Sequence, residues 1–590
     1  MKKNNASVIN SLFLAIFFVL HYLYFALFCR YHLGFQEQTQ LFRFSSDYFL
    51  PFLSKPGGLS EYAGTFLIQF YQNSWVGAGI VTLVSIALFL VTRNVFKKFN
   101  IQGICWSVIP IVFITALQSH HHYYISSTIA LVLALGFTLI YLHVKSFQNR
   151  LIIGIPGWII LYILAAAYSF LSLVIILLYE ILERKEKNPV ISGIFLIMGI
   201  AVPFIASWYI WQISTKDAWT FLFPLQIQTN VKWNLPALLL YYPVAVIVHK
   251  LAFAFIVNKF QGIRFRSIFS GMVILVLGGW WIQSKAYDAK TEIMLGIDYQ
   301  VCRGRWDDAL YLSSHYPGSN RVVTYYTNLA LFNRGQLLQN LFGYNQIGSN
   351  GLFLSWETNN LTPLFGMELY YQMGYTNEAF RWAFEAMVAN GLNPRSLRML
   401  VLSSLVNEDT VIASKYITLL EQTFFYRQWA KKYRSYLMHP EKLDLDKEIA
   451  LKRNLRMTSD FWADDKDFDK LLLLILYNHP ENIMAFEYHI ACLLLEKNLD
   501  ALAKEAERFS QFGYRYLPKN YEEAILVYEA LHRKNALPAG YYVSRETQNR
   551  FSRYLEKLGK YRNDPSAAAN ALYKDFGNTF WYYMNFYKGE

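Results

Sequence analysis

Residues 151–182 read LIIGIPGWIILYILAAAYSFLSLVIILLYEIL, an apolar run whose single charged side chain is Glu180. As one helix it would extend about 48 Å at 1.5 Å per residue, well beyond the ~30 Å of hydrocarbon in a bilayer. Both of its ends are basic: Arg150 precedes it, and Arg184, Lys185 and Lys187 follow. A reversal at Ala165-Ala166-Ala167-Tyr168 would divide the run into two shorter spans and bring both basic ends to one side.

Outward from this stretch, further apolar runs fall at 8–29, 74–92, 103–118, 125–143, 190–212, 234–257 and 267–284. With 151–182 taken as two, the chain is expected to cross a membrane about nine times. The charge pattern supports that count. Segments 1–7, 93–102, 144–150, 183–189 and 258–266 hold 13 Lys+Arg in 40 residues. Segments 30–73, 119–124, 165–168 and 213–234 hold 5 in 76. Lys and Arg accumulate on cytoplasmic loops, so the N-terminus is expected in the cytoplasm. A single span at 151–182 would move Lys259, Arg264 and Arg266 to the other side and lose the asymmetry. Met1-Lys2-Lys3 followed by a run from Val8 to Cys29 is too long for a signal-peptide core, and an uncleaved first membrane helix is expected.

The formal net charge of +13 resides in the first half. Residues 1–285 hold 20 Lys+Arg and 7 Asp+Glu, whereas 286–590 hold 35 of each. A nucleic-acid-binding protein would place its basic residues on a soluble face, so no nucleic-acid partner is expected. Two domains follow: a transmembrane domain over 1–285 and a soluble domain over 286–590. An odd number of crossings puts the second outside the cytoplasm, in the periplasm of a Gram-negative cell. Trp75, Trp208, Trp211, Trp280 and Trp281 fall at the outer boundaries expected of indole rings.

The first outer loop, 30–73, carries Leu41, Phe42, Phe44, Tyr48, Phe49 and Phe52 near helical spacing, interleaved with polar residues. That pattern predicts an amphipathic helix lying on the outer bilayer face, ended by Pro56-Gly57-Gly58.

After Lys285 no alternating strand pattern stands out. Leu369-Tyr370-Tyr371, Gly374, Ala379, Ala383, Ala386 and Pro394 follow the small-residue and turn grammar of a tetratricopeptide-like helix pair. Weaker copies begin at Gly304, Pro394, Pro480 and Pro518. The fold class is therefore all-α, a polytopic helix bundle followed by a degenerate TPR-like α-solenoid. Asp464, Asp465 and Asp467 sit in a charge-rich stretch without the glycine of a calcium loop. An aromatic tail over 576–590, with Phe580-Trp581-Tyr582-Tyr583, reads as a segment capping the solenoid, or else as an anchor to membrane or partner. Cys302 and Cys492 could pair in an oxidising compartment.

Gln36-Glu37-Gln38, Ser46-Asp47-Tyr48-Phe49, Pro56-Gly57-Gly58-Leu59 and Thr579-Phe580-Trp581-Tyr582-Tyr583 together resemble a family of uncharacterised bacterial envelope proteins, known only as a domain of unknown function. The resemblance covers essentially the whole chain. It implies a multi-pass inner-membrane protein with a periplasmic helical domain, and it implies no activity.

The candidate catalytic groups lie in the outer loops: Glu37 and Asp47 in the first, His120, His121 and His122 in the second. An acid at that face could act as a base or hold a divalent ion beside a lipid pyrophosphate, the layout of lipid-linked (GT-C-like) glycosyl- or phospho-transferases. No DxD pair, nucleotide loop, GxSxG or HExxH accompanies them. The leading expectation is therefore an inner-membrane protein presenting a TPR-like domain to a periplasmic or membrane protein partner. Membrane lipids are its other expected partner, a lipid-linked substrate belongs to the transferase alternative, and no cofactor or metal is expected.

Overall fold

The computed structural model describes every residue except 1, 102, 185–188, 226, 228–229, 257–272, 275, 357–360, 458–466, 534–535, 539, 562–563 and 588–590. Lys185, Lys187, the basic loop 258–266, the first residues of the span expected over 267–284, and Asp464 and Asp465 lie outside the described residues. The described residues form helices and no strand. The chain divides into two compact units, residues 1–292 with 422–425, and residues 293–421 with 426–590.

The first unit contains α1 (Lys2–Leu27), α2 (Arg30–Thr39), α3 (Ser46–Leu53), α4 (Gly58–Ile68), α5 (Ser74–Lys98) and α6 (Ile104–Gln118). It continues with α7 (Ile125–His143), α8 (Phe147–Ala165), α9 (Ser169–Leu182), α10 (Pro189–Ile205), α11 (Thr215–Thr220) and α12 (Asn234–Ile256). Its core is a continuous apolar cluster that includes Leu88, Ile111, Leu131, Trp158, Ile176 and Leu238, all fully buried. Leucine, isoleucine and valine also cover the outside of the bundle, as at Leu83, Ile152, Ile197 and Leu240. A bundle apolar inside and out is suited to a lipid solvent rather than to water.

Among the described residues, five stretches are long and apolar enough to cross a membrane: Ser74–Lys98, Ile125–His143, Phe147–Leu182, Pro189–Ile210 and Asn234–Leu251. Ser11–Leu27 and Arg30–Thr39, bent by 64° at Phe28-Cys29, make a sixth if taken together. The expected count of nine differs for physical reasons. Ile104–Gln118 has 15 residues and is short for a span. The last expected span lies partly outside the described residues.

Phe147–Leu182, long enough for one span by composition, is folded back on itself. Arg150 Nη1 donates to Glu180 Oε2 at 2.5 Å, although 30 residues of straight helix would separate the two by about 45 Å. The reversal uses Ala165, Ala166, Ala167 and Tyr168, with Ala166 at φ +46°. Trp158 Nε1 donates across it to the Ser169 carbonyl at 3.1 Å. Alanines permit the close turn because nothing beyond Cβ must be accommodated. Glu180, Arg150 and Arg184 form a buried ionic cluster, with Tyr141 donating to the same carboxylate at 3.1 Å.

The loops of this unit gather at two ends. At one, Arg184 Nη2 donates to the Val144 carbonyl at 2.6 Å, Lys250 pairs with Glu183 at 2.6 Å, and the Phe99 ring packs on Tyr179. At the other, Gly57 N–H donates to the Ile163 carbonyl at 2.8 Å, Ser60 Oγ to Leu164, Ser127 Oγ to Leu222, and Tyr162 to Ala218. The second end also receives Glu292, whose Oε1 accepts the Tyr31 N–H at 2.6 Å.

The single amphipathic helix expected over the loop 30–73 is not formed. Residues 40–45 interrupt α2 and α3, with Gln40 and Ser45 in extended conformation. Phe42 is buried there among Tyr62 and Phe66, its ring centroid 4.9 and 5.2 Å from theirs. Aromatic burial against α4 outweighs the local helical spacing, and Tyr31 to Gln38 of α2 are buried rather than laid on a surface.

In the second unit, each helix from Thr362–Met373 through Thr376–Asn390, Pro394–Val406 and Thr410–Glu421 to Arg427–Met438 packs on the next. Gly374 ends the first of these in the left-handed region at φ +85°. A Cβ there would lie 2.6 Å from Leu455 Cβ, so both conformation and space require glycine. Asp298 and Arg395 form a buried pair in which Arg395 Nη1 donates to both carboxylate oxygens, at 2.8 and 3.0 Å, completed by the Tyr326 hydroxyl donating to Asp298 at 2.6 Å. Cys302 and Cys492 are free thiols.

The aromatic tail is a helix, Phe580–Phe586, docked on Lys519–His532. Trp581 Nε1 donates to the Glu523 carbonyl and Phe580 N–H to the Glu523 carboxylate, both at 2.7 Å. Burial pushes the Glu523 carboxyl up to about 7.

Candidate functional site

The polar end of the first unit is built by three segments: α2 to α4, the turn 119–124, and 211–225. α2 sits against the histidine turn through Gln36, whose Nε2 donates to the His121 carbonyl at 2.9 Å and the Tyr123 carbonyl at 3.0 Å. Phe35 meets the His121 ring edge-on at 5.9 Å.

Glu37 is buried in α2. Asp47, in the first turn of α3, is exposed and accepts from Arg43 Nη1 at 3.0 Å. The Ser45 hydroxyl, and then Arg43, hold its carboxyl below the usual range. An acid already committed to a serine and an arginine is a weak base, and a helix N-terminus stabilises its charge further.

The three histidine rings lie against one another, His120 stacked on His121 and His122 tilted to both. His120 and His121 have ring centroids 4.7 Å apart and nearly parallel planes, and His121 and His122 are 4.2 Å apart. Among the described residues no group of three His, Cys, Asp or Glu could hold a metal ion. Burial, then the neighbouring imidazoles, brings His120 down to about 4, and burial also lowers His121 and His122. The turn is therefore neutral at physiological pH.

A cleft of about 410 Å³ opens at this end, lined by Gln40, Glu61, His122, Asp217, Thr220 and Phe221 among others. Of the five expected site residues, His122 lines it. Glu61 pairs with Lys55 at 2.6 Å, and the Lys55 ammonium lies over the rings of Phe52 and Phe221, 5.2 Å from each. Asp217 and Ser214 cap α11 reciprocally: Ser214 Oγ donates to the Asp217 carboxylate at 2.7 Å and accepts the Asp217 N–H at 3.0 Å. Gly57, at φ +71°, brings the chain so close that a Cβ would lie 2.4 Å from Leu222 Cδ1.

Sequence reasoning missed Lys55, Glu61 and Asp217. The Ser214-x-x-Asp217 spacing was a readable cap signal, and Lys55 and Glu61 flank the Pro56-Gly57-Gly58 turn. The contact that brings them to one cleft, the Lys55 ammonium over Phe221, joins two loops far apart in the chain, and no local pattern announces it.

The result is an all-helical protein with several apolar helices able to span a membrane and a polar cleft among the loops at one end of that bundle. The chain matches the family of unknown function DUF6057 over residues 4–587 and belongs to it. No curated protein and no solved structure matches it.

Proposed function

We propose that this chain is a multi-pass protein of the bacterial inner membrane that presents its second unit in the periplasm as a TPR-like binding module. The observation that carries this reading is the Tyr31–Glu292 hydrogen bond. It holds the end of the first unit beside α2, at the end opposite the basic loops around Lys97, Arg150 and Arg184. Positive loops stay cytoplasmic, so the chain would leave the membrane on the other side. The folded-back pair α8 and α9 supports the same parity, because it returns both basic flanks to one end. Nine crossings remain the count that fits the charges. Stacked helix pairs such as those around Gly374 offer an extended surface for a partner.

The test is a pair of C-terminal fusions after Glu590. Alkaline phosphatase should be active there and green fluorescent protein dark. The reverse result overturns the reading.

The cleft beside His122 favours a second reading, a transferase acting on a lipid-linked donor with Glu61 and His122 at the reacting groups. It predicts that Glu61→Gln and His122→Ala abolish a transfer activity in membranes without lowering protein abundance. Unchanged activity in both variants removes it.

A further inference from the structure

We infer that the second unit carries an oligosaccharide-binding groove built on the aromatic tail. The inference rests on reading that unit as a binding module and names the class of ligand.

A cleft of about 730 Å³ lies along the last two helices, Pro565–Phe576 and Phe580–Phe586, and the segment 342–346. A second, of about 560 Å³, shares Ser319 and Tyr587 with it. The two adjoin at these residues, and each is in the size range of small-molecule sites.

The tail divides its aromatic residues between two tasks. Phe580 and Trp581 are buried and anchor the helix. Tyr573, Tyr582 and Phe586 face the groove instead. Tyr573 is 64 % exposed, its ring 5.7 Å from that of Tyr582, which in turn lies 4.8 Å from Phe586. The Tyr582 hydroxyl donates to the Ala569 carbonyl at 3.3 Å, which helps fix the ring. A row of aromatic rings held in place costs little entropy on binding. An aromatic face carries negative quadrupole density, and the polarised C–H bonds on one face of a pyranose complement it.

The polar rim fits hydroxyl groups. Asn345 donates its Nδ2 to Gly318, Asn578 accepts from Arg550 at 2.6 Å, and Asp575 binds Lys557 through Oδ2 at 2.7 Å. Among the described residues, Asn345 Oδ1, Asn578 Nδ2 and Asp575 Oδ1 are left uncommitted, a mix of acceptors and a donor that paired sugar hydroxyls can satisfy together. Lys574 and Arg550 stand beside Asp575, and Lys497 beside Glu496. Interleaved charges of both signs disfavour a polyanion such as nucleic acid, and the polar rim disfavours an acyl chain. The chemistry selects a neutral oligosaccharide.

The experiment titrates purified full-length protein in detergent with chitotetraose, cellotetraose and maltotetraose by calorimetry. At least one should bind at up to millimolar concentration. Tyr573→Ala should weaken that binding about tenfold, the order that one aromatic contact gives. Asn345→Ala should weaken it several-fold, and Tyr573→Phe should retain it. Tyr477→Ala, an exposed tyrosine outside the groove, should leave it unchanged. No binding by any of the three sugars overturns the inference. So does binding that Tyr573→Ala leaves intact or that Tyr477→Ala weakens equally. Because Tyr573 is exposed, its loss should not unfold the chain, and an unshifted melting curve verifies this. The fusion reporters distinguish the two failures: sugar silence with an active phosphatase sinks the groove alone, whereas sugar binding with a dark phosphatase sinks the compartment alone.

Discussion

Removing Glu180 should unclamp the α8–α9 pair. The Arg150 and Glu180 side chains are 3 % and 1 % exposed, and Arg184 adds a second cation within 3.4 Å of the same carboxylate. Glu180→Ala leaves two cations facing each other with no anion and orphans the Tyr141 hydroxyl. Breaking a buried pair from one side costs roughly 3–5 kcal/mol, because the remaining charge is desolvated and unpaired. Spread over a cooperative unit of this size, at about 2–4 °C per kcal/mol, that is a fall in Tm on the order of 10 °C. The assay is thermal unfolding in detergent, read by a thiol-reactive dye, since the buried Cys29 becomes reactive only on opening. Replacing both, Arg150→Met with Glu180→Met, should recover part of the loss, because Arg184 keeps its bond to the Val144 carbonyl but, like the Tyr141 hydroxyl, loses Glu180. Apolar side chains of similar volume often serve as well as a buried ion pair. The geometry has its own check. In a cysteine-free background, Arg150→Cys with Glu180→Cys should be joined by a short bismaleimide. A Glu180→Ala protein that melts like the parent, together with a cysteine pair that never cross-links, would refute the folded-back hairpin.

Three further outcomes follow from other parts of the molecule. Trp581→Ala removes a fully buried ring and its bond to Glu523; it should cost about 3–5 kcal/mol and make the C-terminus sensitive to limited proteolysis. Gly374→Ala forces a side chain into the left-handed region and against Leu455; it should destabilise the second unit by more than about 1 kcal/mol, seen as a lower melting midpoint. His489 is buried, which pulls its pKa down, but the Asp469 carboxylate, hydrogen-bonded at 2.6 Å, and the Glu505 carboxylate 3.8 Å away carry it up to about 9. Its folded pKa lies above the unfolded 6.5, so its stabilising contribution is complete below pH 6.5 and is lost as pH rises to 9. That is roughly 3 kcal/mol by linkage, and His489→Gln should flatten the alkaline decline in Tm.

The division between what could and could not be read from sequence follows the range of the forces involved. The reversal at Ala165–Tyr168 was legible because it is a matter of length and flanking charge, both local and countable. The helix pair around Gly374 was legible for a similar reason, since a glycine in a turn between apolar periodic runs is a local signal. The break at residues 40–45 was not. Leu41, Phe42 and Phe44 have nearly helical spacing, and the decision against it is made by Tyr62 and Phe66, about 20 residues further along the chain. The surroundings of the candidate acids were hidden for the same reason. Glu37 and Asp47 were selected as acids in an outer loop, yet one is buried within α2 and the other is held by Arg43 and Ser45. The acids that do line a cleft, Glu61 and Asp217, looked like ordinary loop residues, because Phe221 joins Phe52 and Lys55 in giving Glu61 its setting only after two loops converge.

The same reasoning explains why the aromatic tail was ambiguous as sequence. Eight consecutive residues containing six aromatics can be a cap or an exposed surface, and composition alone does not choose between them. The helix Phe580–Phe586 makes both available at once, because 3.6-residue periodicity sends Phe580 and Trp581 inward while Tyr582 and Phe586 line the groove and the largely buried Tyr583 borders both. Anchoring and ligand contact then depend on different residues of one short helix. Variants that melt the protein, at Trp581, should be separable from those that leave it folded and change what it binds, at Tyr573. If every aromatic substitution in this region lowered stability and ligand affinity together, the two faces would be a single core, and the tail would serve the fold alone.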